Sequence, residues 1–161
     1  MRVSSLLSFP NPVNEVSARV VAAGVVVLVA ATLAFRQPWL LAVLAYGFIA
    51  RTATGPTLSP LGQLATKVVT PRLGLKPRYS PGPAKRFAQA IGALFSVTAA
   101  VLALGFGFET AAYVVVAVLG LFALLEAVFG LCVGCKVFRL LMRTSVVPES
   151  VCLECANIWA R

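Results

Sequence analysis

Apolar runs of near-bilayer length decide most of what this chain can become. Four of them cover approximately residues 16–35, 38–54, 84–106 and 110–135, with few charges inside them. A helix crossing the hydrocarbon core needs about 20 apolar residues, and in lipid only helices and closed barrels satisfy their own backbone groups. With 161 residues, of which 60% are hydrophobic and 12% charged, the chain is too small to hide such runs in a soluble core. The expectation is a single all-α integral membrane domain with four transmembrane helices. The second run is marginal: at ~1.5 Å per residue it is short for a full crossing, and a re-entrant hairpin is the alternative.

Local chemistry punctuates these runs. Asn14 suits an N-cap, with Glu15 in the first turn of the first run. Arg36-Gln37-Pro38 and Gly107-Phe108-Glu109 read as tight turns. The segment from residue 51 to 86 is hydrophilic and broken by Pro56, Pro60, Pro71, Pro77, Pro81 and Pro83. Within it, Ser59 can cap a short helix with Pro60 at the first position, Leu61, Leu64 and Val68 on one face, and Pro71 as its end. Such a helix either lies in the membrane interface or packs on the bundle as a loop helix. The stretch before Pro12 is too short for a signal-peptide core and the next run too long, so the first run reads as a signal anchor.

The net charge of +9 raises nucleic acid as a partner. The basic residues instead lie mainly between the apolar runs, without the aromatic interleaving of a strand-binding surface, which excludes that class. Their distribution fits retention of loops in the cytoplasm and attraction to anionic lipid heads. If all four runs cross, Arg36 alone among the fourteen Lys and Arg residues lies on the opposite side. Both termini, and the tail 136–161, are therefore expected in the cytoplasm.

Chemistry-bearing residues are few. The chain has no His and no Asp, which removes imidazole ligands and Ser-His-Asp catalysis. All four cysteines fall in C-x-x-C pairs, Cys132 with Cys135 and Cys152 with Cys155. On the cytoplasmic side, lasting structural disulfides are rare. That leaves thiol–disulfide or sulfane-sulfur relay, a Cys₄ zinc site of C-x₂-C-x₁₆-C-x₂-C form, or unreactive thiols. If the fourth run stays helical through Cys135, its C-terminal dipole disfavours a thiolate there. Cys152 follows Pro148 and Ser150, which suit a helix start, so Cys152 is expected to be the more nucleophilic thiol and Cys155 its resolving partner. Gly130 and Gly134 form a G-x-x-x-G face on which a homodimer could pack.

Glu126 is the one acid deep in a run, and burying it as a charge costs roughly 3 kcal/mol. A hairpin turning at Phe108 sets Glu126 beside Gln89 and Cys132 near Ala84 and Lys85, with Arg86 close to the same thiol. The plain role is a hydrogen-bonded acid that fixes register; the functional ones are proton delivery to the thiols or a small transporter's carrier site. Trp39, Tyr46, Tyr79, Tyr113 and Trp159 suit interface anchoring. Arg72, Lys76 and Arg78 suit a solvated loop.

The stretch Pro83-Ala-Lys-Arg-Phe-Ala-Gln-Ala-Ile-Gly92 and the motif Gly130-Leu-Cys-Val-Gly-Cys-Lys136 resemble the bacterial family called domain of unknown function 4395. The resemblance implies a four-span, mainly actinobacterial protein of the inner (cytoplasmic) membrane with no assigned activity. Members of such families tend to be encoded beside thioredoxin-like proteins and rhodanese-type sulfurtransferases, which implies a soluble partner of that kind. The residues leave open whether the chain is an enzyme. No cofactor is expected on the relay reading, and zinc on the alternative.

Overall fold

In the computed structural model, residues 9–152 are described. Asn14 caps helix α1 (Glu15–Phe35): its side chain accepts the Val16 N–H at 3.0 Å, as expected of that residue type. Arg36, in the left-handed region at φ 50°, turns the chain. Helix α2 (Trp39–Thr54) returns and stops at Gly55, whose N–H bonds Arg51 O. After the proline-rich segment come α4 (Gly82–Gly105, its last turn π-helical from Val101) and α5 (Glu109–Phe129). These four run up and down; α1 packs mainly on α5, and α2 on α4. Leu41, Leu44, Val25, Val116 and Leu119 fill the core between them. A Cβ on Gly120 would lie 2.7 Å from Val29, and one on Gly92 would collide with the Phe48 ring, so glycine sets both close approaches.

Three of these helices, α1, α4 and α5, are long and apolar enough to cross a membrane, whereas α2 has only 16 residues. Large apolar side chains such as Val27, Leu94, Val114, Leu121 and Val128 face outward. A soluble domain buries that surface; a bilayer covers it. The chain is an all-helical membrane-type bundle.

Helix α3, residues 60–73, corrects the sequence reading in one respect and completes it in another. Ser59 does cap it, accepting the Gly62 N–H at 3.2 Å. It does not stop at Pro71. Its middle, Leu64–Val69, is π-helical, and the wider turn makes room for a ring that would clash with a carbonyl in a tighter helix. Gly74, at φ 59°, ends it instead. Its inner face is Leu61, Gly62 and Ala65, while Leu64 is exposed. The helix packs on α1, where the Ser17 and Thr70 hydroxyls meet at 3.0 Å. A two-residue ladder, Val13 with Ser80 and Asn14 with Tyr79, then brings the chain beside the start of α1.

The largest departure lies at the end of the fourth run. Continuous helix was expected through Cys135, yet α5 stops at Phe129. Gly130, at φ 68°, donates to Glu126 O and Leu131 to Leu125 O, a left-handed cap of the kind glycine provides. Arg19 strengthens the stop by donating to Ala127 O and Val128 O. A new helix, α6 (Val133–Arg143), begins at Cys132 and packs on α4. Gly130 and Gly134 therefore share no helical face. Gly134 instead lets α6 meet Ala88, whose Cβ would lie 2.6 Å from an added methyl.

Candidate functional site

Breaking the run at Gly130 changes the setting of the first cysteine pair. Cys132 is the N-cap of α6 and Cys135 sits in its first turn, so free N–H groups and the positive dipole end lie beside the thiols. The C-terminal dipole expected from a continuous helix is absent from this site.

The two thiols are free and hydrogen-bonded to one another. That bond, with Cys135 as donor, is the main reason Cys132 is held below the ordinary thiol value; Lys85 helps, while burial and Glu126 oppose. Cys135 is pushed far above it, first by the proton it shares and then by burial. Cys132 is thus the more readily ionised thiol of the pair.

The two side chains serve different surroundings. Cys132 lines a cleft of about 190 Å³ together with Gln89 and Glu126 at one end and Val25, Phe48 and Leu119 deeper in. Cys135 packs against a separate cluster of Ala84, Phe138, Met142 and Cys152, flanked by Phe87 and Val147. Cys152 is buried and disulfide-bonded. It directly follows a three-residue 3₁₀ turn, Glu149–Val151, so it does not lie in the first turn of the element that Pro148 and Ser150 begin. Cys155 and Trp159 lie outside the described residues.

Around the thiols is a buried polar network that the hairpin argument located but paired wrongly. Glu126 does not bond Gln89. Its Oε1 accepts from Lys85 Nζ at 2.6 Å, with the Lys85 side chain only 5% exposed. Gln89 Oε1 is occupied by Arg51 Nε at 3.0 Å. Arg51, 5% exposed, also donates to Ser59 and lies 4.4 Å from the Phe48 ring centroid. Arg51 is a site residue that the sequence reading gave no role; its signal is its place both at the start of the hydrophilic segment and three residues inside the end of the second apolar run. Arg86 is exposed and donates to Thr52 O, not toward the thiol. Arg72, Lys76 and Arg78 are exposed, as a solvated loop requires.

The described residues contain no group of three or more His, Cys, Asp or Glu side chains placed to hold a metal. A four-thiolate zinc set would also need Cys155.

A family model described as "Domain of unknown function (DUF4395)" matches residues 13–143. The chain belongs to that family. The DUF4395 match takes in all six helices and the Cys132–Cys135 pair, and ends before the tail pair. The thiol site on α6 is accordingly part of the DUF4395 frame, whereas Cys152 and Cys155 lie beyond the matched stretch. No curated protein and no solved structure matches the chain.

Proposed function

We propose that this DUF4395 protein is a membrane thiol relay, in which the Cys132–Cys135 pair exchanges electrons with the tail pair, and the tail pair with a soluble thioredoxin- or sulfurtransferase-like protein. The observation that carries this reading is the shared cluster: Cys152 packs in the same apolar pocket as Cys135. In the exchange, the Cys132 thiolate attacks a sulfur of the tail disulfide. A Cys132–tail disulfide forms and a tail thiolate leaves, taking up a proton. Cys135 then loses its proton and attacks Cys132, closing the Cys132–Cys135 disulfide and releasing the second tail thiol. Two electrons and two protons pass to the tail, and the same attacks run in reverse return them from a reduced tail to the Cys132–Cys135 pair. A persulfide would travel by the same attack, with its outer sulfur transferred in place of the electron pair.

The concentration of Lys and Arg at one end supports a bilayer-spanning arrangement of four helices, with α2 as the short member, N-in and C-in, and the thiols at the cytoplasmic face of the inner membrane. The deciding experiment is a Cys135→Ser trap. Without its resolving thiol, Cys132 should accumulate as a mixed disulfide with Cys152 or Cys155, seen as a reducible cross-linked peptide by mass spectrometry. A trap variant that yields no such peptide, with a wild-type protein that carries one zinc per chain and has all four thiols protected, would establish the metal reading instead.

A further inference from the structure

The cleft beside Cys132 raises the question of what the thiol faces on the side away from the tail. Cys132 is flanked there by polar groups, Glu126 and Gln89, and beyond them the walls are aliphatic or aromatic. From Glu126 to Leu119 along α5 is seven residues, a depth of about 10 Å. Half-buried Ile91 and Phe122 and exposed Val137 also line it, so it opens between apolar side chains as well as beside the thiol. A volume near 190 Å³ is below the ~300–1,000 Å³ that holds a whole drug-sized ligand, and suits one ring with its tail left outside. The Gln89 carbonyl is taken by Arg51, which leaves its amide N–H groups to donate to a ligand's carbonyl oxygen.

We infer that the cleft is a quinone site, in which a membrane-dissolved quinone places its ring against Cys132 and accepts the electrons of the Cys132–Cys135 dithiol. The inference rests on the relay reading, run in the direction in which a reduced tail pair reduces Cys132–Cys135, and names the acceptor on its membrane side. An acyl chain would use the apolar walls but not the thiol, and a soluble disulfide would use the thiol but not the walls. A quinone uses both. The stoichiometry also matches, since a dithiol releases two electrons and two protons and a quinone needs two of each. The Cys132 thiolate adds to a ring carbon, forming an S–C bond. Cys135 then attacks the Cys132 sulfur, the S–S bond forms as the S–C bond breaks, and the electron pair returns to the ring. The two thiol protons end on the two ring oxygens, giving the quinol and the Cys132–Cys135 disulfide.

The test uses the full chain in nanodiscs, reduced and desalted, with decylubiquinone as the probe under anaerobic conditions. Loss of quinone absorbance is followed alongside mass spectrometry of the Cys132–Cys135 peptide. One quinol per disulfide formed is expected, with none from Cys132→Ser. Ala123→Phe on α5 and Ala22→Leu on α1, both lining the cleft, fill it without touching a thiol. Each should slow quinone reduction at least tenfold while Cys132 still exchanges with the tail pair, an internal check that the variant is folded. Unslowed reduction in variants that pass that check would place the reaction outside the cleft and overturn the inference. If the wild-type protein leaves decylubiquinone untouched while Cys132 still exchanges with Cys152, the quinone site fails and the relay stands. Loss of both reactions in the wild-type protein overturns both.

Discussion

The two ends of the bundle are built from the same kind of helix and hold opposite contents. At the end where α1 meets α2 and α4 meets α5, the turns are short, with Arg36, Gln37 and Glu109 at the surface beside exposed Phe35, Phe106 and Phe108, the last two rings stacked at 6.3 Å. At the other end, Arg51, Gln89, Lys85 and Glu126 sit among the helices, and Arg19 closes α5. The contrast teaches that the apolar scaffold is generic, while the buried polar groups gather at one end, where Arg51, Lys85 and Glu126 each have a partner. The Tyr113 hydroxyl, one turn into α5 from the apolar end, makes the same point from the other side. Among the described residues it is the buried side-chain polar atom without a hydrogen-bond partner.

Four single substitutions, one of them also combined with Glu126→Leu, would break or sharpen that contrast. The largest effect belongs to Cys132→Ser, which should abolish exchange with the tail pair in a thiol-trapping assay while leaving the helical content by circular dichroism unchanged. Lys85→Met comes next. It strands Glu126 as a buried, unpaired charge and should cost about 3–5 kcal/mol in a denaturation assay, whereas adding Glu126→Leu should recover most of that loss. Lys85 also favours the Cys132 thiolate, so the midpoint of Cys132 alkylation against pH, below the ordinary thiol value in the wild-type protein, should move up in Lys85→Met. Gly134→Val pushes α6 off Ala88 and should cost about 1–3 kcal/mol, with faster alkylation of Cys135 as the cluster opens. The smallest change is at the apolar end and has the opposite sign. Tyr113→Phe removes an unsatisfied hydroxyl and should stabilise the protein by about 1 kcal/mol, read as a higher unfolding midpoint with the thiols unaffected.

How far the sequence could be read follows from which signals are local. The helices and their tight turns were legible because Pro, Gly and apolar run length act at the residue where they stand; Asn14 and Ser59 cap as their side chains dictate. The stop at Phe129 was hidden, because Leu131, Cys132 and Val133 continue the hydropathy of α5 and Gly130 passes equally for a packing glycine. What gives Gly130 its role as a stop is its left-handed backbone and the Arg19 guanidinium, which arrives from a residue more than a hundred positions away. Pairing α4 with α5 about Phe108 did place Glu126 in the right neighbourhood. It could not see Arg51, which comes from α2 and takes the oxygen of Gln89, leaving the acid to Lys85.

The segment before α1 has a consequence for the order in which this protein is made. Gly82 N–H bonds Asn11 Oδ1 at 2.9 Å, and Glu15 N–H bonds Arg78 O at 2.7 Å. On a ribosome, α1 emerges first, but the carbonyl that receives its opening N–H does not exist until residue 78 has been added. At roughly 5–20 residues per second, that leaves the beginning of α1 incomplete for several seconds. During that time α2 and α3 are also synthesised. The first helix to leave the ribosome therefore has its start secured only after α2 and α3 have been made, and Gly82, which bonds Asn11 just before it, begins α4, the helix that carries Lys85.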